Sequence, residues 1–428
     1  MKVAYVTPGS GLRFYCQNCF RDTALLQSLV SLGHDVVKVP MYLPSNLGGN
    51  VNIVDTPVFY GAINVFLKEK LPFYRHVPEW IEHLFDSRAL LHLASKKSGS
   101  TRPTGLEEMT LSMLQGEKGH QASELDHLIQ YLKNEVAPDV VHLSNALLLG
   151  LAHRLKDDLG ARIVCSLQDE NEWVDLMDEH YQSQVWSLMA EKAADVDLFV
   201  TASQFYSNQS QKRLKIPADK IKVIYGGIDF DGYERSTLPF DPPVIGYLCR
   251  MSEYFGLGIL VDAFLELKKD SRFKDLELHL TGGYSNDDKP FVNGLMKKIS
   301  KHGFAKDVRV FRDFCKDNRI EFLKTLTLLS VPVPTGEAFG AYQVEALAAG
   351  VPVVQPNVGC YPEFVETTKG GVLYEPNTGE KLAAAIASLL SDQEKVRKLG
   401  EQGRRVVLTR FSMGQMAKNI ERIYNDVT

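Results

Sequence analysis

The sequence predicts an α/β protein built from two doubly wound parallel-sheet domains. Three observations predict it. The chain has 428 residues, 44% of them hydrophobic, which is more than one hydrophobic core normally gathers, so two domains of roughly 200 residues each are expected. Short apolar runs of the length of buried parallel strands alternate with amphipathic helical patterns. The alternation then stops at a turn-rich stretch and starts again.

In chain order, the first set of strands is Val3 to Val6, Val36 to Val39, Val140 to His142, Ile163 to Leu167 and Leu198 to Ala202. Helices lie between them, among them Thr23 to Leu32, closed by Gly33, and Ala122 to Lys133, which leads through Pro138 and Asp139 into the next strand. Gly232, Pro239, Asp241, Pro242 and Pro243 mark a linker, and the boundary is placed near residue 235. Beyond it the strands are Val244 to Leu248, Leu276 to Thr281, Val308 to Phe311, Thr327 to Val333 and Val351 to Gln355. Residues 60–125 break the rhythm. They are rich in helix formers and aromatics (Phe66, Phe73, Tyr74, Trp80, Phe85) and read as a helical insertion that either buries its own aromatics or offers an acceptor-binding or membrane-facing surface. Doubly wound sheets bind ligands beyond the carboxyl ends of their strands, and a cleft between two such domains is the expected site.

Composition narrows the function. A net charge of −5 gives no field that would gather a polyanion, so nucleic acid is excluded as an expected partner. The N-terminal run Met1 to Pro8 is a short strand and a turn, and no stretch approaches the roughly 18 apolar residues of a membrane span. A cytoplasmic protein is expected, with peripheral contact at the inner face of a membrane left open. The six cysteines are scattered, four of them in or beside apolar runs, as buried thiols in a reducing compartment would be.

The most informative segment runs from Pro334 to Pro352 and reads as strand, loop and helix. Gly350 ends the helix, Pro352 prevents its continuation, and its start falls near Gly340. Free N–H groups at that start, from Phe339, Gly340 and Ala341 onward, can receive a pyrophosphate. Glu337 falls in the loop and Glu345 one to two turns inside the helix, so the two carboxylates can serve different ends of one ligand. A carboxylate such as Glu345 can accept from both ribose hydroxyls, and Glu337 can hold hydroxyls of a sugar.

Gly336-Glu337-Ala338-Phe339-Gly340 followed by Glu345-Ala346-Leu347-Ala348-Ala349-Gly350-Val351-Pro352 resembles the E-x7-E motif of the group 1 family of retaining GT-B glycosyltransferases. The similarity extends over Gly33 to Val36, Pro138 to His142, Gly226 to Asp229 and Gly359 to Glu363. It implies a GT-B fold with two facing Rossmann-like domains: an acceptor-side domain over 1–235, a donor domain over 236–410, and a final helix over 411–428 that packs back on the first domain. It implies a nucleoside diphosphate sugar as donor, with Glu345 on the ribose, Glu337 near the transferred sugar, and backbone contacts from Phe339, Gly340 and Ala341. The acceptor would be a sugar, a lipid-linked molecule or a small molecule. Front-face substitution, in which a donor phosphate oxygen takes the acceptor proton, requires no metal and no further cofactor.

The chain departs from the family pattern in three places. Arg250 matches the phosphate-binding arginine, but Phe255 stands where a lysine is usual, which leaves leaving-group stabilisation to Arg250 and the helix start. Gln168 replaces a histidine and cannot titrate; its neighbours Asp169 and Glu170 either meet the acceptor or cap the next helix. The first loop carries Gly9, Ser10 and Gly11, whose N–H groups can approach the donor, but also Cys16-x-x-Cys19, read as a packing pair in preference to a redox pair or half a zinc site. Arg13 and Arg21 are either acceptor or phosphate contacts or exposed arginines. His142, at a strand end, is either an acceptor contact or structural. A dinucleotide oxidoreductase is set aside because Phe14 stands where its third glycine is needed. The departures keep two alternatives open: a non-catalytic nucleotide-sugar-binding protein, and an epimerase or phosphorylase on the same fold.

Overall fold

The computed structural model describes residues 1–8, 14–42, 54–55, 58–60 and 103–428. The expected contacts Gly9, Ser10, Gly11 and Arg13 lie outside the described residues, as do residues 61–102 of the expected helical insertion. The rest of that insertion contains helices Glu107–Leu114 and Ala122–Tyr131.

The chain divides into two compact units, Met1–Leu12 with Asn18–Ile224 and Met416–Thr428, and Arg13–Gln17 with Tyr225–Gln415. The first break lies ahead of residue 235. The residues that follow it are held from within the second unit: Ile228 donates its N–H to the Phe411 carbonyl and Met413 donates to that of Ile228.

The first unit is built on strands β1 (Lys2–Thr7), β2 (Asp35–Pro40), β3 (Val54–Asp55), β4 (Val140–Leu143), β5 (Arg162–Leu167), β6 (Leu198–Thr201) and β7 (Ile221–Val223), in the spatial order β3-β2-β1-β4-β5-β6-β7. Every pairing is parallel. Valine-rich strands covered on both faces give the continuous burial seen in β4 and in Val3 to Val6.

The second unit repeats the plan with β8 (Val244–Leu248), β9 (Glu277–Thr281), β10 (Val308–Val310), β11 (Leu328–Leu329), β12 (Val353–Pro356) and β13 (Gly371–Tyr374), ordered β10-β9-β8-β11-β12-β13 and again all parallel. The strand expected over Thr327 to Val333 keeps only two residues. Its next N–H groups leave the ladder, because Val331 donates to the side-chain Oε1 of the fully buried Gln355 instead of to a neighbouring strand. In each sheet the order reverses once, between β1 and β4 and between β8 and β11. Loops at the carboxyl ends of such strand pairs diverge and leave room for a ligand.

Candidate functional site

In the second unit the two loops at the switch point carry the predicted residues. Just beyond β8 is Arg250, its side chain 10% exposed, with Nε 2.9 Å from Asp288 Oδ2 and Nη2 3.4 Å from Ser285 Oγ. Burial alone would raise the Asp288 carboxyl, but the hydrogen bonds from Arg250 and Ser285 outweigh it and hold it below the usual carboxylate range. Phe255, in the position where lysine was expected, is buried, and its ring lies edge-on to that of Tyr254.

Beyond β11 the chain turns through Gly336 and Gly340, at φ +73° and +72°, into helix Ala341–Ala348. Gly336 packs on Gly359, so closely that a Cβ at Gly336 would lie 2.4 Å from the Gly359 Cα. Both the positive φ and the close backbone approach call for glycine there. This turn carries Glu337 inward. Its carboxylate accepts from the hydroxyls of Tyr342 and Tyr361, the latter at 2.8 Å, and from Gln17 Nε2 at 2.9 Å. Burial pushes the Glu337 carboxyl above its usual range, against the lowering effect of those three donors.

Glu345 is held differently. Oε2 accepts from Tyr233 Oη at 2.6 Å and from Arg319 Nε at 2.7 Å, while Oε1 accepts from Tyr15 Oη at 2.8 Å. Arg319 also donates Nη1 to the Phe314 carbonyl at 2.9 Å. Burial works against the Arg319 charge, but Glu345 outweighs it and keeps the guanidinium firmly protonated. At the helix start, the Ala341 N–H donates to Gln17 Oε1 at 2.7 Å. The Phe339 carbonyl accepts from Gln343 Nε2 and Cys360 Sγ, and its ring stacks on Phe411 with centroids 6.2 Å apart. Arg250, Glu337, Phe339, Gly340, Ala341 and Glu345 therefore all belong to one unit, and a single segment, Phe14 to Gln17, touches both carboxylates and the helix start.

In the first unit, His142 is corrected to a structural role. It is completely buried in β4, with Nδ1 2.7 Å from Tyr424 Oη and Nε2 2.8 Å from Ser166 Oγ. Burial, with a smaller push from Arg21, drives its pKa down to about 3, so the ring is neutral. Arg21 is likewise buried, with Nη2 3.2 Å from Asp22 Oδ1, and is not an exposed arginine. Cys16 and Cys19 are disulfide-bonded and do not form the packed thiol pair expected from sequence; two cysteines three apart at a helix start lie within bonding reach. Gln168 and Asp169 line a cavity of about 170 Å³ with Asn145, Leu147, Glu170, Glu172 and Trp173, at the carboxyl ends of β4 and β5. Asp169 adopts φ +57°, and Gln168 Nε2 donates to Asp22 at 3.3 Å. Glu170 does not cap the next helix with its side chain. Its carboxylate accepts instead from the Ala146 and Gln168 N–H groups and from the Tyr206 hydroxyl.

Sequence reasoning missed Tyr15, Gln17, Tyr233, Asp288, Arg319, Tyr342 and Tyr361. Only Tyr342 carried a local signal, five residues after Glu337 and within the motif itself. The others come from distant segments and are joined to the glutamates by folding alone. Among the described residues no cluster of three or more metal-ligating side chains occurs, and no helix is long and apolar enough to cross a membrane.

Two doubly wound parallel sheets of this order define the GT-B class of fold. Across the whole chain the fold is similar to that of HepE from Anabaena in complex with UDP, at 19% identity, with 100% of each chain covered and a TM-score of 0.69. Residues 233–406 match the model of the glycosyl transferases group 1 family, and residues 111–231 match that of glycosyltransferase family 4. The protein belongs to the group 1 glycosyltransferase family. Among curated relatives it is similar to spore coat protein SA of Bacillus subtilis, 25% identical over 53% of this chain and 64% of that protein. It is also similar to D-inositol 3-phosphate glycosyltransferase of Corynebacterium glutamicum, 25% identical over 49% of this chain and 52% of that enzyme. The chain thus spans about half to two thirds of the length of the curated relatives it matches.

Proposed function

We propose that the protein is a retaining glycosyltransferase that takes its sugar from a nucleoside diphosphate donor held by the second unit. The observation that carries this reading is the pair of buried carboxylates, Glu337 and Glu345, 3% and 2% exposed, set around one helix start and within reach of one four-residue segment. Glu345 is placed to accept from ribose hydroxyls, Glu337 to hold the transferred sugar, and the Ala341 N–H with Arg250 to meet the diphosphate. UDP is the first nucleotide to try, because the structure of the similar HepE protein holds UDP. Water exclusion and fixed donors around the leaving diphosphate would supply most of the rate. In front-face substitution the acceptor proton passes to a donor phosphate oxygen, which accords with the non-titrating Gln168. The acceptor is placed at the first-unit cavity lined by Gln168 and Asp169, and no divalent metal takes part.

The test is release of nucleoside diphosphate from a panel of labelled nucleotide sugars with sugar, lipid-linked and small-molecule acceptors, in buffer with and without EDTA. Acceptor-dependent release, product of unchanged anomeric configuration by proton NMR, and loss of turnover in Glu337→Gln with nucleotide binding kept are expected. Inversion of the anomeric centre, or a Glu337→Gln enzyme as fast as the parent, refutes the assignment.

A second reading, a nucleotide-sugar-binding protein without turnover, is favoured by one arrangement: Arg250 is paired with buried Asp288 and the expected lysine is the buried Phe255. Tight binding of a nucleotide sugar with no release to any acceptor would select it.

A further inference from the structure

The segment Phe14 to Gln17 belongs to the second unit, although it lies at the start of the sequence. Its backbone is anchored there: Phe14 forms an antiparallel bridge with Gly283, and Tyr15 N donates to the Gly282 carbonyl at 2.7 Å. Its side chains then meet, one after another, the groups assigned above to the donor. The Phe14 ring lies under the Arg250 guanidinium, 4.9 Å from ring centroid to Cζ. The buried Tyr15 offers its hydroxyl to Glu345 Oε1 at 2.8 Å, as a ribose hydroxyl would. Gln17 donates Nε2 to Glu337 Oε2 at 2.9 Å, as a sugar hydroxyl would, and accepts the Ala341 N–H at 2.7 Å, as a phosphate oxygen would.

The match is in chemical polarity as well as in place. Carboxylates accept only, so whatever fills the site must present donors to Glu337 and Glu345, and an acceptor to the helix start. Tyr15 and Gln17 present that set. The occupancy is also exclusive: the Ala341 N–H has a single proton, and Glu345 Oε2 is already engaged by Tyr233 and Arg319, which leaves Oε1, the atom Tyr15 holds.

We propose that residues 14–17 are an internal plug that imitates the donor and must withdraw before a nucleotide sugar can enter. The proposal rests on the donor reading of this site given above. It makes the enzyme self-restrained, with an apparent affinity lowered by the fraction of molecules in which the plug is seated.

UDP, ADP, GDP and dTDP are titrated calorimetrically into the full chain, into Tyr15→Phe, into Gln17→Ala and into the double variant, each checked by thermal melting to be folded. A hydrogen bond to a buried charge is strong enough that losing it shifts the seated fraction markedly, so the double variant is expected to bind its preferred nucleotide about tenfold or more tightly than the parent. Stopped-flow association should level off with nucleotide concentration in the parent, where withdrawal limits the rate, and stay linear in the double variant. Binding of one nucleotide that the variants leave unchanged or weaken overturns the plug while sparing the donor reading. Binding of none of the four by parent or variants overturns both. Tyr15→Phe alone, which preserves the ring and its packing, should show the same direction of change if the double variant does not fold, and an unchanged or weakened affinity in it overturns the plug.

Discussion

Replacing Arg319 by leucine leaves the Glu345 carboxylate buried without its cation. The two side chains are 7% and 3% exposed, with Nε and Oε2 2.7 Å apart, so water cannot take over the lost partner. Removing one member of a buried pair costs about 3–5 kcal/mol. The hydroxyls of Tyr15 and Tyr233 still donate to the carboxylate, and hydrogen bonds to a charge retain part of the stabilisation, which puts the expected loss near the lower end, about 3 kcal/mol. Glu345→Leu strands the guanidinium and is expected to cost about as much. The double variant Arg319→Leu/Glu345→Leu removes both charges together, so it should be about as stable as either single variant, with a coupling energy of about 2–3 kcal/mol. The described tryptophans Trp173 and Trp186 lie in the first unit, so the assay is amide hydrogen exchange read on peptides of β8 and β12, with urea unfolding by circular dichroism beside it. Single variants that each lose less than about 1 kcal/mol, with additive effects in the double, would refute the argument that this is a buried, mutually dependent pair.

Three further outcomes follow from the same geometry. His142 is neutral in the fold at a pKa of about 3 and titrates near 6.5 when unfolded; the unfolded chain therefore binds the extra proton, and this contribution is complete above pH 6.5 and lost as pH falls toward 3. That loss amounts to about 2 kcal/mol at pH 5, and His142→Asn should flatten the slope of stability against pH between 6.5 and 5 in urea titrations of the first unit. Gly336→Ala puts a Cβ 2.4 Å from the Gly359 backbone at φ +73°, so a loss of about 3 kcal/mol or more is expected, seen as faster exchange around Glu337 and weaker nucleotide binding. Arg250→Lys keeps the charge but loses the fork that spans Asp288 and Ser285; nucleoside diphosphate affinity should fall about tenfold, with nucleoside affinity unchanged by calorimetry.

The sequence by itself determined the class of fold, because apolar runs such as Val3 to Val6 and Val244 to Leu248 are buried on both faces of a parallel sheet and therefore show in composition alone. It also determined the loop-and-helix frame of Glu337 and Glu345, since glycines at φ +73° and +72° and the Gly350 stop are local requirements written at fixed positions. What surrounds those carboxylates was decided only in three dimensions. Tyr15 and Glu345 are separated by 330 positions, Gln17 and Glu337 by 320, and Arg319 and Glu345 by 26. The fate of His142 was decided there too: a strand-end histidine reads the same whether it faces solvent or is sealed beneath Tyr424, 282 residues away. Periodicity reports how a residue meets its own element, whereas a buried charge is satisfied by whichever segments the chain folds around it, and no local pattern names them.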